Sequence, residues 1–118
     1  MKVVDYRDVT PQTWATKANP VIPPGNEVRT VISANDDAPF TMRINAILAK
    51  DASHELHSHP WAHEVFVFSG HGTAFTADGK EISLKAGDVV YVPANEPHGW
   101  ANTGDEPLRF VCCIPNVE

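Results

Sequence analysis

Six histidines stand at positions 54, 57, 59, 63, 71 and 98, and three of them fall within the stretch HSHPWAH, residues 57–63. Neutral imidazole offers a free lone pair and is a common ligand for Zn, Cu, Fe and Ni, with Mn also within reach. On an extended strand, side chains at i and i+2 share a face, so His57 and His59 are expected to project together. Trp61 and His63 keep that parity, although Pro60 is expected to interrupt the ladder. The spacing matches no zinc-finger pattern, and there is no C-x-x-C. Other chemistries find no support. A G-x-S-x-G elbow and a phosphate-binding glycine loop are absent, and Cys112 lacks the sequence context of a nucleophile. The clustering by itself leaves two readings open, a transition-metal centre and separate surface or hydrogen-bonded histidines.

Two longer patterns resemble the cupin superfamily. Its first motif, G-x5-H-x-H-x3/4-E-x6-G, is met by Asp51, His57, His59, His63 and Gly70; its second, G-x5-P-x-G-x2-H-x3-N, by Gly87, Pro93, Asn95, His98 and Asn102. Every spacing fits, and three identities differ: Asp51 for the first Gly, His63 for Glu, and Asn95 for Gly. Asn tolerates positive φ, which a turn demands. The resemblance implies metal ligands at His57, His59, His63 and His98, as in small single-domain cupins of the four-histidine kind. Glu64, next to His63, is the rival fourth ligand, but it stands one residue too close to Gly70 for the motif. His54 and His71 fall outside both motifs and are expected to be non-ligands at the surface.

Four imidazoles add no charge, so a divalent ion would keep its full +2 and favour anionic guests such as enolates or catecholates. The resemblance implies one such ion per chain, with Mn or Fe favoured and Ni, Cu or Zn as further candidates. It also implies a dioxygenase-like oxidoreductase acting on a small unsaturated, enolic or aromatic substrate, with O2 as a partner. The alternative is a non-catalytic cupin that binds a metal or a small ligand. A cupin isomerase fits less well, because no His/Tyr pair stands free of the motif positions.

These side chains must be carried by short strands. β-like runs are expected at 28–33, 41–49, 63–69, 73–77, 80–84, 88–92, 99–103 and 108–114, with a hairpin turn at Asp78-Gly79 and no helix. Such spacing predicts an all-β sandwich or barrel, and the resemblance narrows it to the cupin double-stranded β-helix, a small antiparallel jelly roll. Alternation puts Leu108, Phe110, Cys112 and Ile114 on one face of the last strand. Phe110, Cys112, Ile114 and Trp100, which has the parity of His98, are therefore expected to shape an apolar pocket. Trp61 is expected at its rim. Met42, Ile44, Ala46 and Leu48 share a face, and Met42, Ile44 and Leu48 are expected in the core, with Arg43 opposite them in solvent and an anion-binding role as its alternative.

Residues 1–27 hold Pro11, Pro20, Pro23, Pro24 and Gly25 and little periodicity. They read as an N-terminal arm, with a short strand at Val3–Tyr6 and a role in exchange with a second subunit; residues 28–118 form the single domain. A homodimer is expected, because arm and sheet edge both gain from cover. The chain has 118 residues and a formal charge of −6, with no Lys/Arg cluster, which disfavours nucleic-acid and membrane partners. Cys112 and Cys113 are adjacent and have no distant partner, so a reducing, cytoplasmic setting is expected.

Overall fold

The described residues form nine strands: β1 (Asn26–Ile32), β2 (Phe40–Ile47), β3 (Ser53–His57), β4 (His63–Ser69), β5 (His71–Thr76), β6 (Glu81–Lys85), β7 (Val89–Val92), β8 (His98–Asn102) and β9 (Leu108–Pro115). The structure is a computed structural model and describes residues 1–117; position 118, the end of the expected domain, lies outside them. The strands pair antiparallel in two sheets, one ordered β1-β2-β9-β4-β7 and the other β3-β8-β5-β6. This is the all-β architecture expected from the turn spacing, and the jelly roll that the resemblance implies. The only helical turns among the described residues are two 3-10 turns, Tyr6–Asp8 and Ala34–Asp36. No helix is long and apolar enough to cross a membrane.

The two sheets face each other across Ile47, Val65, Val67, Leu84, Val92, Trp100, Leu108 and Phe110. Gly72 permits their close approach: a Cβ there would stand 2.5 Å from Leu108 Cδ2 and from the Ala101 carbonyl. Asn102, the last residue of the second motif, is fully buried and fully bonded. Its Nδ2 donates to the carbonyls of Ile47 and Glu106, both at 2.9 Å, and its Oδ1 accepts from Gly104 N–H. These bonds fix the turn from β8 into β9 and tie it to β2, and they remove the cost of burying an amide.

The motif departures fall where backbone geometry explains them. Asp51 has φ 68° and Asn95 φ 66°, so both occupy the left-handed region that glycine holds in the family pattern. Gly70 has φ 84°, and a Cβ would lie 2.5 Å from the Pro107 carbonyl.

Several expectations need correction. Val3–Tyr6 is not a strand; Tyr6 opens a 3-10 turn whose cap is Asp5. Tyr6 packs edge-on against Phe68 and lies under Arg29, while Arg29 Nε donates to the Val9 carbonyl. The N-terminal segment thus lies over the outer face of its own larger sheet. That cover changes the reading of β2. Arg43 pairs with Cys112 and Asn45 with Phe110, so Arg43 and Asn45 face the interior, not solvent. Ile44 and Ala46 are buried on the outer face, Met42 is half-buried, and Leu48 is exposed. Alternation was present, but both faces of β2 are covered, and period two alone does not say which face is the barrel's.

Candidate metal centre

Four histidines converge at one end of the barrel. His57 ends β3, His98 opens β8, and the two are paired across those strands. His63 opens β4 in the opposite sheet. His59 is not on a strand; it lies in the 58–62 loop that crosses between the sheets, and its carbonyl accepts from Asn95 N–H at 2.8 Å. The shared-strand argument for His57 and His59 is therefore replaced by a loop whose position is fixed by a hydrogen bond to the turn of the second motif.

The potential ligand atoms of His57, His59 and His98 lie within 4.8 Å of one another. Their other ring nitrogens are already committed. His57 Nδ1 lies 2.7 Å from the Glu55 carbonyl, His59 Nδ1 3.0 Å from the Trp61 carbonyl, and His98 Nδ1 2.8 Å from the Glu96 carbonyl. A carbonyl only accepts, so each Nδ1 must carry the proton and each Nε2 keeps its lone pair. This outer layer of bonds is the arrangement that orients metal-binding imidazoles. The three histidines can hold a metal ion.

His63 adjoins these three but is not one of the trio whose ligand atoms converge. It is buried, and its Nε2 stands 3.1 Å from His98 Nε2. Its Nδ1 meets Cys112 Sγ at 3.3 Å. Glu64 is exposed on the outer face, paired with Tyr91 and Cys113. Burial, the first cause throughout, holds all four imidazoles below their ordinary pKa; His98 is pushed down to about 4, and His63 further, with His98 as its next cause. The rings are neutral at neutral pH, the form that binds metal.

A cavity of about 510 Å³ opens beside the cluster. Trp100, Phe110 and Cys112 line it, and the arm contributes residues 17–23 as one wall. Ile114 does not reach it; it lines a second cavity of about 300 Å³ with Gln12, Thr41 and Asn116. Trp61 lines the main cavity too and stacks on His59, with centroids 4.6 Å apart and planes 5° from parallel.

Two side chains expected at the surface line the cavity instead. His54 lines the cavity, its ring centroid 4.0 Å from that of His57. A register shift between His54 and His57 in the β3–β8 pairing lets residues three apart face the same way, and alternation could not reveal it. Arg43 is the other: it is 5% exposed and lines the cavity, and its Nη2 points at Cys112 Sγ at 3.1 Å. His71 is exposed, as expected.

A family model described as a cupin domain matches residues 45–114, more than half of the chain. Over 65 residues, 51% of this chain and 17% of the other, the sequence is 45% identical to oxalate decarboxylase OxdC of Bacillus subtilis. Over 60 residues, 50% of this chain and 49% of the other, it is 37% identical to an oxalate-binding protein of Thermotoga maritima. The chain spans about half the length, or less, of the curated relatives it matches. The solved structure of the polyketide cyclase RemF from Streptomyces resistomycificus is similar with a TM-score of 0.81, covering 100% of this chain and 86% of that one at 24% identity, a likeness of fold.

Proposed function

The chain belongs to the cupin-domain family, and from that premise we propose that it is a metal-dependent oxidoreductase of dioxygenase type. In this reading His57, His59, His63 and His98 hold one divalent transition ion, Mn or Fe in preference to Ni, Cu or Zn. The substrate is a small enolic, unsaturated or aromatic compound, with O2 as co-substrate. One observation carries the metal part: three imidazoles, each with Nδ1 engaged by a backbone carbonyl, bring ligand atoms within 4.8 Å of one another. The fourth ligand is supported by the 3.1 Å between His63 Nε2 and His98 Nε2. Two nitrogens bound at right angles to an ion with bonds of about 2.1 Å are separated by about 3.0 Å. The exposure of Glu64 supports His63 over it.

When bound, the ion supplies Lewis acidity and one-electron chemistry. The chain's own residues do the rest. Backbone carbonyls at Glu55, Trp61 and Glu96 keep three rings in the ligating tautomer. Trp100 and Phe110, in contact with centroids 5.4 Å apart, exclude water from the inner wall. Metal analysis of protein purified without added metal, followed by O2 uptake with a panel of diketones, flavonols and styrenes, tests the reading. Uptake that depends on the ion and disappears in His63→Ala is expected; stoichiometric metal with no uptake on any of them overturns the oxidoreductase assignment.

A second reading has its own support. Relatives at 45% and 37% identity carry the names oxalate decarboxylase and oxalate-binding protein. Release of CO2 from oxalate, or its tight binding without turnover, would favour that reading. A homodimer belongs to either reading: Phe66, Val89 and Tyr91 are exposed apolar side chains on the outer face of β4 and β7. Light scattering that gives the monomer mass at micromolar concentration would remove it.

A further inference from the structure

Among the described residues, Arg43 is a buried cation without an anion. Its guanidinium is always charged, and Nε and Nη1 are both buried with no hydrogen-bond partner. Its one polar contact is Cys112 Sγ, at 3.1 Å from Nη2. The only carboxylate on the cavity wall among the described residues, Glu27, is paired with Arg29. Lys17 stands on the same wall. A chain of net charge −6 thus buries a cation on the wall of this cavity. Natural interiors leave few such groups unpaired, and a charged one in a cavity calls for a ligand of opposite sign.

Further residues of the cavity wall carry buried polar atoms without a partner. Asn45, two residues along β2 on the same face, has a buried Oδ1 without a partner, and so has Trp61 at Nε1. The amide of Asn45 can rotate to present its NH2. Arg43, Asn45 and Trp61 thus offer a small number of donors in an otherwise apolar enclosure. That suits a planar, singly charged carboxylate, which accepts about four hydrogen bonds, better than a phosphate, which needs more. Cys112 Sγ stands between the two functional ends of the cavity, 3.1 Å from the guanidinium and 3.3 Å from His63 Nδ1.

We infer that Arg43 is the anchor for a carboxylate, and that the cavity takes a small organic acid with its carboxylate on Arg43 and a second oxygen donor turned to the histidine cluster. This deepens the metal-site reading above and rests on it for the second contact only. The anchor itself needs no ion.

Calorimetric titration of malonate, malonamide and inorganic phosphate, on protein as purified and after chelation, tests it in wild type, Arg43→Met and Arg43→Lys. Malonate is expected to bind wild type at least tenfold more tightly than malonamide or phosphate, before and after chelation. Arg43→Met should lose at least tenfold for malonate, with malonamide binding and metal content unchanged, and Arg43→Lys should recover part of the loss. Malonate binding that is absent, or indifferent to Arg43, overturns the inference, and phosphate binding above malonate overturns the carboxylate assignment. The two readings fail separately. Arg43-dependent malonate binding in protein that takes up no metal removes the metal centre and keeps the anchor. Stoichiometric metal with malonate indifferent to Arg43 does the reverse.

Discussion

Replacing Arg43 with Met should make the metal-free, ligand-free protein more stable. The guanidinium is 5% exposed, and of its three nitrogens only Nη2 has a partner, a thiol sulfur. A buried ion without a counter-charge carries a penalty of several kcal/mol even after relaxation. The single N–H···S contact returns on the order of 1 kcal/mol. Met retains much of the apolar stem and gives up only that contact. Replacement of buried charges by apolar groups of similar volume stabilises by roughly 1–4 kcal/mol, and the same range is expected here. For a chain of this length each kcal/mol moves Tm by about 3–5 °C. Urea denaturation followed by circular dichroism in the presence of a chelator reads the effect as a higher midpoint at unchanged m. Saturating malonate should narrow the gap, because ligand that binds only the folded wild type stabilises it by about 2.7 kcal/mol at a hundredfold excess over Kd. A midpoint for Arg43→Met below that of wild type would refute the reasoning. It would mean that the guanidinium holds the fold together and is not waiting for an anion.

Three other outcomes follow from the geometry. His98→Ala should lower metal affinity at least tenfold while Glu64→Ala leaves it unchanged, because Glu64 faces outward; competition with a chromogenic chelator measures both. In metal-free protein, His54 and His98 titrate near pH 4 when folded and near 6.5 when unfolded. The unfolded chain binds more protons between those values, so stability should be complete above pH 6.5 and fall as pH drops towards 4, read as a declining urea midpoint. Gly70→Ala should cost more than Gly79→Ala. Both positions have positive φ, worth about 1–2 kcal/mol, but only at Gly70 does the new Cβ meet a carbonyl, at 2.5 Å; their thermal midpoints should differ accordingly.

Much of this was legible in the chain itself. Val65 and Val67 alternate with exposed Glu64 and Phe66, so β4 was readable to its ends. Leu108, Phe110, Cys112 and Ile114 do the same on β9. The motif residues His57, His59, His63 and His98 come together, and the left-handed turns at Asp51 and Asn95 explain two of the substitutions. What stayed hidden depended on long-range packing. Which face of β2 is interior was decided by the N-terminal segment lying over the outer one, around Tyr6 and Phe68, not by β2's own pattern. A shift of pairing brought His54 into the site, and a loop rather than a strand delivered His59. No local signal specifies either.

The enclosure beside the histidines is assembled from two sources. The clustered histidines come from the stretch that the family model matches, residues 45–114, whereas Arg43 and the wall at 17–23 stand outside that match. One wall of the enclosure is therefore written apart from the stretch that carries the histidines, while Trp100, Phe110 and Cys112 lie within it. Replacing residues 17–23 should change which guests the cavity admits and leave the histidine cluster in place.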